Sequence, residues 1–228
     1  MILSHKYRFI FIRTRKTAGT SIEIELSKFC QKDDVITPID SESEKIRRGR
    51  GYPGPQNHVE GLSAYELKDL VEIFTKRQRK KRFVNHMPAE QIRSLVGDAI
   101  WDEYYKFCFE RNPWDKAISF YYFEHKQDPR PTLSEFILSG KASQVSDYNL
   151  YTCDGEVIVD HIGRYENLES ELEVISKRLG LPEKMQLPWA KGNFRKDRKH
   201  YRFLLGGKER DKISEDFARE IAHFGYEF

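Results

Sequence analysis

What this sequence lacks narrows the field before anything else does. No stretch approaches the roughly 20 apolar residues that a membrane-spanning helix needs, and the N-terminus has no secretory-signal pattern. An apolar run, Tyr7 to Ile12, opens almost at once, so neither a membrane span nor an N-terminal anchor is expected. Cysteine is scarce. Cys30, Cys108 and Cys153 are too few and too scattered for a disulfide framework or a zinc site. Cys108 sits within Phe107-Cys108-Phe109 and reads as a buried thiol, which suits a reducing, cytoplasmic setting. An excess of one charge is missing too. The 39 basic and 36 acidic residues leave a formal net charge of +3, which does not imply a global polyanion-binding role. There is no internal repeat, no metal-ligand spacing of His and carboxylates, and no Gly-x-x-x-x-Gly-Lys-Ser/Thr loop.

What is present fits one α/β domain over residues 1–228. The composition is 39% hydrophobic and 13% aromatic, enough to build a core. Tyr7–Ile12 and Tyr104–Phe109 are short apolar runs of the kind that form strands buried on both faces. Ser21–Leu26 alternates like a strand, yet Ile22, Leu26 and Phe29 also share a helical face, and the preceding loop chemistry favours a helix. Residues 40–60, rich in Gly, Pro and charge, are expected to form a long, mobile loop. Helices are expected at Leu62–Phe74, from Pro88 with Ile92, Leu95 and Val96, from Pro113, and at Thr132–Ser139. A hairpin is expected around Asp154-Gly155, with flanks Leu150-Tyr151-Thr152 and Val157-Ile158-Val159, and a strand at His161–Tyr165. Asn167 should cap a helix bearing Leu168, Leu172, Ile175 and Leu179. One last helix should carry Ile213, Phe217, Ile221 and Phe224. Strands alternating with helices imply a mainly parallel sheet flanked by helices.

Two strand–loop–helix junctions carry the chemistry. The loop Arg13-Thr14-Arg15-Lys16-Thr17-Ala18-Gly19 leads into Thr20-Ser21. A helix N-terminus offers unpaired N–H groups and about half a positive charge. Gly19 permits close approach, Thr20 and Ser21 add hydroxyls, and Lys16 adds a mobile cation. The second junction, Arg111-Asn112-Pro113-Trp114-Asp115, follows a strand and opens a helix bearing Ser119. Ligands of open α/β sheets bind at such strand ends, and Arg111 offers a planar fork for a second phosphate. His86, in Asn85-His86-Met87-Pro88, is the right residue type for proton transfer near neutral pH, with His58 as a second candidate. The basic run Lys76–Arg82 reads as a solvated helix end or as an attractor of an anionic acceptor.

Taken together, these blocks resemble sulfotransferases that use 3′-phosphoadenosine 5′-phosphosulfate (PAPS), particularly the carbohydrate-type branch and its bacterial relatives. Arg13–Ser21 is similar to the family's 5′-phosphosulfate loop. Arg111-Asn-Pro-Trp-Asp with Ser119 and Tyr121 is similar to its 3′-phosphate motif. Gly163–Leu168 and Phe224-Gly225-Tyr226 resemble two further shared blocks. The resemblance implies a P-loop-NTPase-like sulfotransferase fold and in-line sulfuryl transfer to a hydroxyl acceptor, small molecule or glycan, without a metal. It gives Lys16 the leaving phosphate and Arg15 to Ser21 the phosphosulfate cradle. Arg111 and Ser119 would take the 3′-phosphate, Tyr165 the adenine, Arg195 a closing segment, and His86 the role of base. Alternatives are a P-loop nucleotide kinase or NTPase and, less compatible with the near-neutral charge, a nucleic-acid-binding module.

Overall fold

The computed structural model describes residues 1–61, 80–188, 195 and 197–228. Within these, the chain forms a five-stranded mixed sheet with helices packed on it. The strands are β1 (Ile2–Ser4), β2 (Phe9–Phe11), β3 (Val35–Ile36), β4 (Tyr105–Glu110) and β7 (His161–Arg164), in the order β3-β1-β2-β4-β7. A small ribbon, β5 (Thr152–Cys153) with β6 (Glu156–Val157), stands apart. Its turn, Asp154-Gly155, has positive φ at both residues, as a type I′ hairpin turn requires. Leu150 and Tyr151, expected to extend that ribbon, instead end a short helix.

The expectation of a mainly parallel sheet needs correcting. β2–β4 and β4–β7 are parallel, but β1–β2 and β1–β3 are antiparallel. The four residues between β1 and β2 allow only a hairpin, because a parallel return needs a crossover of a dozen residues or more. The sequence reading had recognised only β2 in this region.

Alternation along the strands sorts the core into two faces. Phe9, Phe11, Phe107 and Phe109 pack with Ile22 and Leu26 of α1 (Gly19–Ser27) and with Leu172 and Ile175. Ile10, Ile12 and Cys108 point the other way, against Ala89 and Ile92. Both faces are covered, so the central strands read as continuous apolar runs. Ile22 and Leu26 are fully buried, each contributing about 1.5–3 kcal/mol. A third cluster joins Trp114, Phe120, Phe136, Tyr201 and Phe217 beyond the sheet.

Residues 40–60 are not simply a loop. Ser41–Gly49 is α2, capped by Asp40, whose carboxylate accepts the Ser43 N–H at 3.1 Å. Acids fill its first turn and Arg47 and Arg48 its last, as the helix dipole favours. It escaped an apolar-periodicity search because its buried residues, Ser43 and Arg47, are polar. The expected helices from Pro88, from Pro113 and after Thr132 form as α3 (Ala89–Val96), α5 (Pro113–Glu124) and α6 (Leu133–Leu138), with a short α4 (Asp98–Glu103) after α3. The short helix before β5 is α7 (Tyr148–Tyr151), and α8 spans Leu168–Arg178. Asn167 occupies the α8 cap position without a side-chain capping bond. The single last helix is in fact two, α9 (Gly207–Asp216) and α10 (Ala218–Phe224), broken at Phe217. The expected helix at 62–74, the basic residues 76–79, and residues 191–194 and 196 of the basic stretch Lys191–His200 lie outside the described residues. No described helix is long and apolar enough to cross a membrane.

Candidate functional site

The parallel strands β2 and β4 end side by side and open into a cleft of about 570 Å³. Its near wall is the loop between β2 and α1. Lys16 and Ala18 both adopt left-handed backbone conformations, at φ 61° and 60°. Neither is glycine, so each is strained by an amount of order 1 kcal/mol and must be held by its surroundings. Ala18 is the N-cap of α1 and gives it no side-chain cap, leaving the first-turn N–H groups for another acceptor.

The three basic residues of this loop diverge. Arg13 turns inward: its guanidinium donates to Glu23 at 2.6 Å and to Thr20 at 2.7 Å. Burial raises the Glu23 pKa, but the chain's terminal ammonium and Arg13 outweigh it and hold the carboxyl below its usual range. A Cβ on Gly19 would lie 2.9 Å from the Arg13 side chain, so any larger residue there must displace Arg13. Arg15 turns the opposite way and donates to Asp147 at 2.6 Å. Lys16 extends along the cleft with its ammonium 4.0 Å from the centre of the Phe123 ring. That is cation–π distance.

The far wall starts at the end of β4. Arg111 is held from three sides. It donates to Asp115 at 2.9 Å through Nε, gives Nη1 to the Lys16 carbonyl at 2.9 Å, and lies 4.1 Å from the Tyr165 ring centre. Asp115 also accepts Arg195 at 2.5 Å. Burial alone would raise the Asp115 pKa, but Arg111 and Arg195 bring it below the ordinary carboxylate range. One carboxylate thus aligns two guanidiniums at the cleft. Ser119, two turns into α5, lines the same space.

His86 also borders the cleft. Asn85 anchors it by donating to Pro38 O at 2.5 Å and accepting from Thr37 at 2.7 Å. His86 Nδ1 lies 3.0 Å from the Arg13 carbonyl oxygen. A carbonyl can only accept, so Nδ1 carries the hydrogen and Nε2 carries the lone pair. Burial, then the charges of Arg13 and Arg15, push the imidazole pKa down to about 4. It is neutral at neutral pH, as a proton acceptor must be.

Behind the wall, Lys116 is fully buried and bonds Glu110 at 2.6 Å and Asp147 at 2.9 Å. Its pKa rises because the two carboxylates outweigh burial. Glu110 is pushed up to about 7, chiefly by burial, with Asp147 adding to the effect.

Of the residues singled out from sequence, Arg15, Lys16, Ala18, Gly19, Thr20, His86, Arg111, Ser119, Tyr165 and Arg195 all line this cleft. Thr17 does not. It is fully buried and its hydroxyl pairs with Thr14 at 2.9 Å, bracing the loop from within. Ser21 faces a neighbouring cavity of about 590 Å³, which shares Ala18 and Tyr165 with the cleft. His58 is not among the residues lining either cavity. The sequence reading missed Phe123, Arg198 and Val145 in the lining and Asp115 and Asp147 behind it. Asp115, four residues after Arg111 in a helix-opening motif, was the most findable, since that spacing pairs opposite charges. Among the described residues, those lining the cleft include no carboxylate, and no three His, Cys, Asp or Glu side chains gather so as to hold a metal ion.

No family model matches the chain. An archaeal protein from Archaeoglobus fulgidus, described as an uncharacterized protein, is 42% identical over 106 residues, which cover 44% of this chain and 88% of that protein. At that identity and coverage, this chain and the archaeal protein belong to one family.

Proposed function

We propose that the protein transfers a sulfuryl group from PAPS to a hydroxyl acceptor. The observation that carries this reading is the pairing of two basic, anion-attracting sets across one cleft, whose lining among the described residues includes no carboxylate. On one side stand Lys16 and the uncapped start of α1; on the other stand Arg111, Arg195 and Ser119. The Arg111–Lys16 hydrogen bond ties the two sides together. Two separate phosphate-bearing positions distinguish PAPS from ATP and from adenosine phosphosulfate. Tyr165 and the adjoining cavity, where Leu168, Leu172, Met185 and Leu187 stand beside the polar Glu169, Glu173 and Lys184, offer a partly apolar seat for the adenine.

In this reading the chain's residues divide the work. The start of α1, with Thr20, holds the phosphosulfate, and Arg111 and Ser119 hold the 3′-phosphate. His86 Nε2 takes the proton of the acceptor hydroxyl as its oxygen bonds to sulfur. The bond from sulfur to the bridging phosphate oxygen breaks in line, and Lys16 stabilises the charge that develops on that oxygen. A pKa near 4 makes His86 a weak base in the free protein. A bound anion opposes the part of this depression that comes from Arg13 and Arg15, while the larger part, from burial, stays.

The direct test is thermal stabilisation. 3′-Phosphoadenosine 5′-phosphate (PAP) at 100 times its Kd should stabilise the fold by about 2.7 kcal/mol, and ATP should do so far less, with or without magnesium. Metal-dependent stabilisation by ATP alone would instead identify a nucleotide kinase, which shares the strand–loop–helix arrangement. A screen of small hydroxyl compounds and glycans with labelled PAPS then identifies the acceptor.

A further inference from the structure

Asp147 takes no part in the mechanism above, yet it is fully buried directly behind the anion loop. It lies in the short link between a 3₁₀ turn, Lys141–Val145, and α7. One of its oxygens accepts the backbone N–H of Arg15 at 2.5 Å and the Lys116 ammonium at 2.9 Å. The other accepts the Arg15 guanidinium at 2.6 Å. A single carboxylate therefore fixes both the main chain and the side chain of the residue just before Lys16.

That placement matters because Lys16 is left-handed at φ 61°. A strained residue keeps its conformation only where both flanks are over-determined. Downstream, the Thr14–Thr17 hydroxyl pair and the Arg111 bond to the Lys16 carbonyl do this. Upstream, the Asp147 clasp does it. We propose that Asp147 is a positioning residue that holds the anion loop in its binding shape and so aims Lys16 into the cleft. This rests on the loop being the anion site proposed above. The same segment carries Val145 into the cleft lining, so the clasp also ties that part of the lining to the loop.

A purely electrostatic role gives the opposite result. If Asp147 merely masked the positive charge of Arg15, removing its charge would strengthen anion binding. If it positions the loop, removing it weakens anion binding. The test is calorimetric titration of wild type, Asp147→Asn and Asp147→Ala with PAP and, separately, with pyrophosphate, which engages the loop alone. Asp147→Asn should retain the fold, because Lys116 remains paired with Glu110 at 2.6 Å and the Arg15 side chain is 34% exposed. Circular dichroism and the melting temperature of the ligand-free variants check this.

Asp147→Ala should weaken both ligands about 10- to 100-fold, as expected for the loss of a charge-assisted clasp. Asp147→Asn, which keeps an acceptor for the Arg15 N–H, should lose less. Unchanged or tighter binding in folded variants overturns the proposal. If wild type binds pyrophosphate but not PAP, the nucleotide reading falls and the Asp147 comparison is decided on pyrophosphate. If wild type binds neither, the loop is no anion site and the role assigned to Asp147 falls with it.

Discussion

The two ends of the cleft are built on different plans. The Lys16 end is one unbroken segment, residues 13–20, locked by buried carboxylates on both sides: Glu23 on Arg13 and Asp147 on Arg15. Its shape depends on strained backbone at Lys16 and Ala18 that those braces must hold. The Arg111 end is assembled from α5, the turn after β7 and the segment at Arg195, and Asp115 holds two guanidiniums in common. Here one cation backs up another. A contiguous, strained site should fail abruptly when touched, whereas an assembled, ion-paired one should fail by degrees.

Lys16→Ala is the largest expected effect. Removing one preorganised charge from the developing oxyanion costs about 10²–10³ in rate. Sulfuryl transfer from labelled PAPS should fall by that factor while the melting temperature holds. Turnover near wild type would break the assignment of the chemistry to this end. Arg111→Ala should come next, weakening PAP by about 2–3 kcal/mol as a charge-assisted contact is lost. Adenosine phosphosulfate, which lacks the 3′-phosphate, should be affected much less. Arg195→Ala alone should cost less than Arg111→Ala, because Arg111 keeps its other contacts. Equal losses for both nucleotides would mean that Arg111 does not read the 3′-phosphate.

The same difference explains what could be read from the sequence. The Lys16 end was legible because its parts are adjacent and its strand–loop–helix logic is local. The Arg111 end was legible only in Arg111 and Ser119, which lie eight residues apart at one strand–helix junction, and, through family resemblance, in Tyr165 and Arg195. Asp147 could not have been found, since its partner Arg15 is 132 residues away in sequence. In the fold, β2 and β4 showed as dense apolar runs, and a strand was also expected where β7 forms. β1 was missed because three residues before a tight turn carry little periodic signal, and α2 because it buries an arginine. The antiparallel hairpin then made the sheet mixed.

His86 tests how the Lys16 end behaves with pH. Its imidazole is depressed from 6.5 to about 4, so the unfolded chain binds the proton more tightly. Stability is therefore complete above pH 6.5 and is lost as pH falls toward 4, by about 3 kcal/mol if the imidazole stays buried. His86→Gln removes this contribution. The difference between variant and wild-type unfolding free energies should slope across pH 4–6.5 and flatten above it. A flat difference throughout would mean that His86 is exposed and unperturbed.

The smallest effect compares one glycine from each end. A Cβ at Gly163, in β7, would meet the Phe109 ring at 2.7 Å, and that ring is fully buried. A Cβ at Gly19 would meet Arg13 Cγ at 2.9 Å. Overpacking costs about 1–3 kcal/mol in either place. At Gly19, however, the neighbour is a side chain that can move rather than a fully buried ring, and Arg13 yields by loosening its bonds to Glu23 and Thr20. Gly163→Ala should therefore be the more destabilising in urea unfolding, yet leave PAP binding nearly intact. Gly19→Ala should cost about 1 kcal/mol in stability and proportionately more in PAP affinity, because the displaced guanidinium braces the loop itself. Were Gly19→Ala to bind PAP as wild type does, the loop would not depend on Arg13, and the abrupt failure expected of this end would have to come from the Asp147 side alone.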